Sequence, residues 1–367
     1  MKKTFDHPQT IIGIDLGDKK HAVCVLDKDG KVICEKSITN QCKPLEALCK
    51  DYPAARVAIE VGTHSPWISR LLSDLGMEVI VANARKLRAI YQNERKSDEL
   101  DARMLAKLAR VDPEMLHPVT HGSEVSQRDL LLIKLRDNLV RQRVNMINGV
   151  RGALKSLGIK LSLTTTQASV RKAREELVAQ GGLAAVIEPL LVVVEILNQQ
   201  IAKYDGMIAK AVEERCPQAG KLQAIGGVGP ITALCFVLSI EDPGRFEDAR
   251  DVGAYLGLVP RRDQSGNTDK QLPISKAGNG YLRRLLVQCA QHVLGPFGAD
   301  SDLRRQGLKL AERGGKAAKK RAIIAVARKL AVLMLTLWQK QAEYEPLRNA
   351  ARLEVKAKSK SQGLAAA

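Results

Sequence analysis

The chain has 367 residues, of which 58 are Lys or Arg and 40 are Asp or Glu, so its formal net charge is +18. Apolar residues make up 45% and charged residues 27%, which is typical of a soluble globular protein, and the length predicts two or three domains. The positive charge favours a polyanionic partner, above all nucleic acid, while only 3% aromatic residues argues against recognition by base stacking.

Cysteine usage and hydropathy argue against a secreted or membrane protein. The seven cysteines include no Cys-x-x-Cys pair, which predicts neither a disulfide framework nor a zinc site. The most apolar windows, 183–197 and 323–338, carry charged residues and fall short of the ~20 uninterrupted apolar residues of a membrane span. The first residues lack the apolar stretch of a secretory signal. We therefore expect a cytoplasmic protein with no membrane partner.

The pattern of residues 1–110 predicts an α/β domain. Strands are predicted at 11–16, 22–26, 31–37, 56–60 and 77–82, and helices near 43–51, 67–75 and 97–110. Three strands in a meander followed by alternating helix and strand is the order of an RNase H-like domain. That order alone also fits other α/β folds.

The middle of the chain changes to a helical pattern. Residues 111–122 contain Asp-Pro, His-Pro and Gly, which indicates a linker. Residues 123–216 predict a two-helix, coiled-coil-like arm, although an ordinary helical hairpin packed in its own domain fits equally well. The second helix is interrupted by Pro189, and its apolar residues recur at spacings of three and four or their sums: Val186, Leu190, Val193, Leu197, Tyr204 and Ile208.

Residues 217–348 predict a compact, mainly α domain, and the Ala-, Lys- and Ser-rich residues 349–367 predict a disordered tail. The run 224–233 is typical of a helix-hairpin-helix element, in which Gly227 and Gly229 would let backbone N–H groups approach a phosphate. A generic Gly-rich turn is the alternative. Near the C-terminus, a predicted helix over 316–338 carries a basic face suited to a phosphate backbone: Lys319, Lys320 and Arg321.

Four carboxylates form the first candidate site. Asp15 and Glu60 each end a predicted strand, and Asp98 and Asp101 lie on one face of a predicted helix that Ser97 would cap. If the two strands are neighbours and the helix crosses their ends, the four side chains converge. Four negative charges at one point repel one another, and hard divalent cations relieve that repulsion. Two Mg²⁺ ions ~3.5–4 Å apart would bind the attacking and leaving oxygens of a phosphodiester. Taken singly, each residue also fits a turn or a helix start.

A serine forms the second candidate. Ser265 precedes a glycine and follows Arg261 and Arg262 in a predicted loop, where its hydroxyl could reach a phosphate. On residue chemistry alone, a serine in a polar turn is the commoner interpretation. Residues 274–279 are predicted to open a helix with Ser275 as N-cap, and three cations near this start are further candidates for nucleic-acid contact: Lys276, Arg283 and Arg284.

These strings together resemble one family. Ile-Gly-Ile-Asp at 12–15, Ile59-Glu60 and Lys-Ser-Asp-Glu-Leu-Asp-Ala-Arg-Met-Leu-Ala at 96–106 are similar to the DEDD transposases of bacterial insertion sequences, the IS110 family. So are Gly226–Pro230, Phe246–Pro260, Ser265-Gly266 and Ile274–Leu286. The resemblance covers nearly the whole chain in the family's order.

The resemblance implies a RuvC-like N-terminal domain that binds Mg²⁺ through Asp15, Glu60, Asp98 and Asp101. It also implies a C-terminal transposase domain in which Ser265 attacks DNA to form a phosphoserine intermediate. In this interpretation, Arg261 and Arg262 would hold the scissile phosphate by charge-assisted hydrogen bonds. Ser275 ranks second, because it is interpreted as a helix cap. The family further implies a tetramer, or dimer of dimers, in which the acidic site of one subunit completes the serine site of another. A structured non-coding guide RNA would pair with element-junction and target DNA. A bacterial, nucleoid-associated location follows.

Other functions remain open at this point. A RuvC-like nuclease with water as nucleophile would leave free ends and no protein–DNA adduct. An ATPase of the actin/Hsp70 type is suggested by Ile12–Gly17, but no second phosphate loop follows. A non-catalytic nucleic-acid scaffold is a further alternative, which the intact carboxylates disfavour.

Overall fold

A computed structural model describes residues 10–83, 85–86, 97–266 and 268–349. The chain divides into two compact units, Met1–Gly122 and Ser123–Ala367, called here the first and second unit. The first is a mixed α/β sheet, and the second is helical apart from one two-stranded hairpin. The predicted α/β N-terminal part and largely helical C-terminal part are confirmed. All but the first residue of the expected tail lies outside the described residues.

The first unit is built on a five-stranded sheet. Its strands are β1 (Thr10–Leu16), β2 (Lys20–Asp27), β3 (Val32–Thr39), β4 (Arg56–Glu60) and β5 (Glu78–Ala82), and its helices are α1 (Cys42–Asp51), α2 (Ser65–Asp74) and α3 (Asp98–Val111). The strand order is β3-β2-β1-β4-β5, with β1 antiparallel to β2 and parallel to β4. The strand adjacency on which the carboxylate prediction depends is therefore present.

Because side chains alternate across a strand, the strands present apolar residues on both faces of the sheet, and helices cover both faces. On one face, Ile12 and Ile14 pack with apolar residues of α1 and α2. On the other, Ile11 and Ala58 pack with α3. The segment expected as a linker also packs here: it contains a short 3-10 helix, Pro113–Leu116, whose Leu116 is fully buried.

The second unit contains nine α-helices and one hairpin among the residues the structure describes. The helices are α4 (Glu124–Lys155), α5 (Gln167–Val178), α6 (Leu183–Arg215), α7 (Pro217–Leu222), α8 (Pro230–Ile240), α9 (Asp251–Tyr255), α10 (Gly280–Leu294), α11 (Asp302–Ala311) and α12 (Gly315–Lys340). The hairpin strands are β6 (Pro260–Ser265) and β7 (Thr268–Ile274).

Helices α4 and α6 run antiparallel, linked by polar pairs at seven-residue steps along α4. Asp129 accepts hydrogen bonds from Arg215 at 2.6 and 3.0 Å, and Arg136 pairs with Asp205. One heptad further along, Arg143 donates to Asn198 at 2.8 Å. Because the partner numbers fall as the α4 numbers rise, the two helices point in opposite directions.

The buried residues of α6 are not the ones in the apolar repeat that the sequence shows. Helix α6 continues through Pro189, and its buried residues include Ile187, Leu191 and Val194, which pack against α4 and α5. The predicted Val186, Leu190 and Val193 are each at least 37% exposed. The apolar repeat therefore falls on an exposed side of α6 at these positions, because the helix is apolar on several sides and its sequence does not single out the buried one.

The core of the second unit surrounds α8 and α12. Phe236 of α8 is fully buried, and the core also includes Leu330, Met334 and Trp338 of α12. By length and composition α6 and α12 could cross a membrane, but core helices of soluble proteins pass the same test, and half of the most apolar window of α12 is buried inside the unit. Burial of Phe236 alone contributes about 1.5–3 kcal/mol.

Two local predictions around the hairpin are wrong. Ser265 lies at the end of β6, in a hairpin and not in an irregular loop. The following helix, α10, begins at Gly280 and is capped by Asn279, whose side chain accepts from the N–H groups of Tyr281 and Leu282. Ser275 is therefore not the N-cap. Its hydroxyl accepts instead from the N–H of Ala277 at 3.4 Å.

Candidate active site

The direction of α3 across the sheet decides where its acidic residues lie. A Cβ on Gly13 would overlap the carbonyl oxygen of Ala102 and lie 2.6 Å from the Ala106 nitrogen, so β1 and α3 touch through their backbones. Arg56, at the start of β4, donates to the carbonyl oxygen of Ala109 at 3.2 Å. The end of α3 thus lies at the amino edge of the parallel strands, and its beginning lies at their carboxyl edge.

The four predicted carboxylates belong to that carboxyl edge. Ile14 pairs with Ile59 across β1 and β4, so Asp15 and Glu60 are the next residues on the two strands. Asp15 is two residues beyond Gly13, and Glu60 two beyond Ala58, which puts both on the face that α3 covers. Helix α3 starts with Asp98 and Asp101 here, and the Ser97 hydroxyl caps it as predicted, accepting from Leu100 N–H at 3.2 Å.

The donor set fits a hard divalent cation, since all four side chains offer carboxylate oxygens. Asp101 is buried, Asp15 and Glu60 are half-buried, and Asp98 is exposed. Within the described ranges, no three His, Cys, Asp or Glu side chains stand close enough together to hold one ion. The structure therefore brings the four residues to one edge without closing them around a point.

A histidine follows β4 at the same edge. His64 Nε2 lies 3.0 Å from Asp18 Oδ1, and the indole N–H of Trp67 donates to His64 Nδ1 at 3.4 Å. Both ring nitrogens are therefore engaged by neighbouring side chains. Sequence spacing alone gave no sign of the Asp18 pairing.

Ser265 is exposed at the turn end of β6, paired with Thr268. In an antiparallel pair, directly opposed residues share a face, and residues two apart on one strand do so as well. Asp263 and its partner Lys270 therefore share the Ser265 face, whereas Arg261 lies where the register shifts between Pro260 and Arg262. Lys270 is a candidate that sequence reasoning missed, because the hairpin register was not predicted.

Arg262 lies on the opposite face of the hairpin. Its guanidinium donates two hydrogen bonds to Asp269, at 2.8 and 2.7 Å. This pair raises the pKa of Arg262 and lowers that of Asp269. Asp269 thus occupies the guanidinium of Arg262, one of the two arginines that precede Ser265 in the sequence.

The two glycines of the predicted helix-hairpin-helix element differ in their surroundings. The turn joins α7 to α8, and Gly227 has φ +87°, with His292 Nδ1 3.1 Å and Cys289 O 3.4 Å from where a Cβ would be. A side chain at Gly227 would be strained and crowded. Gly229 has nothing within 4 Å of that position. Only Gly229 therefore has open space beside it.

Two of the predicted arginine ligands hold protein groups. Arg283 donates to the carbonyl oxygens of Leu256 and Ala277, at 2.9 and 2.6 Å, and so ties α10 to the loops on either side of the hairpin. Arg284 pairs with Asp137 at 2.7 Å and stacks on the Tyr281 ring at 4.8 Å.

The remaining predicted cations lie at the surface of the second unit. Lys276 is exposed and adopts a positive φ of 55°. Lys319, Lys320 and Arg321 are exposed on the first turns of α12. Their position agrees with a basic surface, as the composition of that helix indicated.

Comparison with known proteins places these features in a family. A family model described as "Transposase", that of the DEDD transposases of IS110 elements, matches residues 12–159. A second, described as "Transposase IS116/IS110/IS902 family", matches residues 219–302. The first match contains all four carboxylates, and the second contains Ser265.

Curated relatives agree with these matches. The chain is 30% identical over 345 residues to the transposase for insertion sequence element IS1111A of Coxiella burnetii, covering 91% of each chain. It is 31% identical over 297 residues to the transposase for element IS1328 of Yersinia enterocolitica, covering 77% of this chain and 83% of the relative. A probable family 20 transposase of Pseudomonas aeruginosa is 27% identical over 345 residues. The chain therefore belongs to the IS110/IS116 family of insertion-sequence transposases, enzymes that cleave and rejoin DNA.

Proposed function

We propose that this transposase cleaves and rejoins DNA strands through a phosphoserine intermediate on Ser265, with divalent metal, Mg²⁺, held by Asp15, Glu60, Asp98 and Asp101. The observation that supports the proposal is the carboxyl edge of the first unit, where two adjacent parallel strands and the start of α3 place four carboxylates at one edge of the sheet. The strand order 3-2-1-4-5 supports the RuvC-like assignment of this unit.

The chemistry assigned to the protein is a phosphoryl transfer. The Ser265 oxygen forms a bond to phosphorus, the bond to the leaving DNA oxygen breaks, and the serine proton leaves to a base or to solvent. Attack of a DNA hydroxyl on the phosphoserine reverses these steps and rejoins the strands without ATP. Bound metal would lower the pKa of the attacking hydroxyl and stabilise charge on the phosphate. Lys270, on the Ser265 face, and Arg261, four residues before Ser265, would hold the phosphate by charge-assisted hydrogen bonds.

The proposed assembly follows from the position of the two candidate sites in different units. The carboxylates belong to the first unit and Ser265 to the second, so catalysis requires that one of each meet, within a chain or between subunits of a tetramer. The exposed apolar residues of α6, Val186, Leu190 and Val193, support a subunit contact through the arm, which we propose to be coiled-coil-like. A structured RNA encoded by the element is the proposed guide to DNA sequence, with the nucleoid as the site of action.

A denaturing gel tests the proposal. The full chain is incubated with element-junction DNA, flanking element RNA and Mg²⁺, and DNA that migrates with protein through SDS is measured. We expect an adduct that is lost in Ser265→Ala and in Asp15→Asn, and retained in the matched serine variant Ser275→Ala. Nicked DNA free of protein would instead support a nuclease that uses water. An adduct that persists in Ser265→Ala would contradict the assigned nucleophile.

A further inference from the structure

A cleft of about 710 Å³ opens in the second unit beside α11, α12 and the segment 344–349. Its volume is in the range of functional ligand sites. Leu303, Val332 and Leu333 provide an aliphatic lining. Such a surface accommodates the carbon atoms of a sugar ring, whereas it offers nothing to a fully hydrated ion.

Four cationic side chains also line this cleft: Arg250, Arg328, Lys329 and Arg348. Across residues 10–83, 85–86, 97–266 and 268–349, none of the four forms a salt bridge with a carboxylate. Two carboxylates reach the cleft, those of Asp302 and Glu345, and Asp302 already accepts the N–H of Asn349 at 2.7 Å. The cleft therefore has an excess of positive charge.

The backbone makes room for these cations. Gly253 lies against the stem of Arg328: a Cβ there would be 2.9 Å from Arg328 Cγ. Lys329 donates to Gln306, and burial, together with the neighbouring Arg328, lowers its pKa. Two adjacent cations held in one cleft repel each other, and an anion between them would relieve that repulsion.

The positive charge continues outside the cleft. Arg321 and Arg328 are seven residues apart on α12, and two turns of helix place them on nearly the same face. The exposed Lys320 precedes Arg321 on the same helix. A row of cations thus leads from the surface into the cleft, which suits a polymer with repeated phosphates better than a single small anion.

We propose that this cleft binds the sugar–phosphate backbone of a DNA strand, with Arg328 and Lys329 on the phosphate and the aliphatic lining against the deoxyribose. DNA is the committed ligand because DNA is what a transposase cleaves and rejoins. The proposal rests on that family activity and is independent of the identity of the nucleophile.

The test is DNA binding without chemistry. Full-length protein carrying Ser265→Ala is titrated in EDTA with a labelled DNA duplex of arbitrary sequence, so neither cleavage nor adduct formation enters. Removing one phosphate contact costs roughly tenfold in affinity at about 0.1 M salt, and it reduces the slope of log K against log salt by roughly 0.9. Because Arg328 and Lys329 hold the same phosphate in this proposal, Arg328→Gln with Lys329→Gln should show both effects.

Matched variants make the result decisive. Lys155→Gln with Lys203→Gln removes the same charge from exposed positions on α4 and α6, and we expect its salt slope to remain that of the parent protein. Arg250→Gln with Arg348→Gln, both at exposed positions, should repeat the loss without disturbing α12. Equal slopes for the cleft and control pairs would overturn the proposal. A loss seen with an RNA hairpin but not with the DNA duplex would overturn it as well, since the cleft would then serve RNA.

Discussion

Gly13 on β1 and Ala102 on α3 are in backbone contact, with no room for a side chain between them. This contact fixes the depth at which α3 lies on the sheet, and hence the position of Asp98 and Asp101 relative to Asp15. No larger residue at position 13 preserves that depth.

The first prediction concerns Gly13→Ala. Its methyl group overlaps backbone, which cannot move aside as a flexible side chain can, so we expect a loss of about 3 kcal/mol or more in unfolding free energy, at or above the upper range for overpacking. Trp67 fluorescence in a Trp338→Phe background reports this unit alone. Gly62→Ala is the control, because nothing lies within 4 Å of its Cβ position. Equal stability of the two variants would contradict the contact.

The second prediction separates two roles for Arg262. If its bond to Asp269 holds the hairpin, Arg262→Gln and Asp269→Asn reduce adduct formation to a similar extent, and the double variant is no worse than either. We expect this result, because Arg262 lies on the face opposite Ser265. Both residues are largely exposed, so the unfolding midpoint should not change measurably. If Arg262 instead binds the phosphate, freeing it by Asp269→Asn would increase adduct formation.

The third prediction compares two neighbouring glycines. Gly227→Ala should cost about 1–2 kcal/mol in unfolding free energy, because Gly227 has a positive φ and faces His292. Gly226→Ala should change the unfolding free energy by less than about 0.5 kcal/mol, as its φ is ordinary and the space beside it is open. Trp338 fluorescence in a Trp67→Phe background measures both. Similar losses would show that the turn conformation is not the constraint.

The fourth prediction is loss of stability at alkaline pH. Burial raises the pKa of the Cys235 thiol to about 12. The unfolded thiol ionises first as pH rises, so this contribution to stability is complete below pH 9 and is lost between about pH 9 and 12. The loss amounts to roughly 4 kcal/mol at 1.36 kcal/mol per unit. Chemical denaturation of Cys235→Ala should show a shallower alkaline decline than that of the exposed Cys42→Ser. Parallel declines would contradict this assignment.

The carboxylate edge was predictable because its signals are local. Asp15 and Glu60 each end an apolar run, and Ser97 begins a helix with Asp98 and Asp101 on one face. Parallel strands have their carboxyl ends at one edge, so the position of Asp15 and Glu60 follows from the strand order, whereas that of Asp98 and Asp101 also depends on the direction of α3. The closeness of α3 to Gly13 was not predicted, because a glycine in an apolar run gives no sign of what approaches it.

The hairpin of β6 and β7, which carries Ser265, was not predicted because its sequence lacks such local signals. Residues 261–265 are all exposed, so they show no alternation of apolar and polar side chains. The Arg262–Asp269 pair and the face shared by Lys270 and Ser265 depend on the register, which a sequence without a buried face does not specify. Leu116 was likewise hidden in a segment whose prolines and glycine indicated a linker.

The central claim is that the DNA strand becomes covalently bound to the hydroxyl of Ser265. The most direct measurement identifies the residue to which the DNA is attached. The SDS-stable adduct is digested with nuclease and protease, and the peptide bearing the nucleotide remnant is sequenced by mass spectrometry. The account predicts a nucleotide on the hydroxyl of Ser265. A remnant on Ser275, or on any other residue, would contradict it.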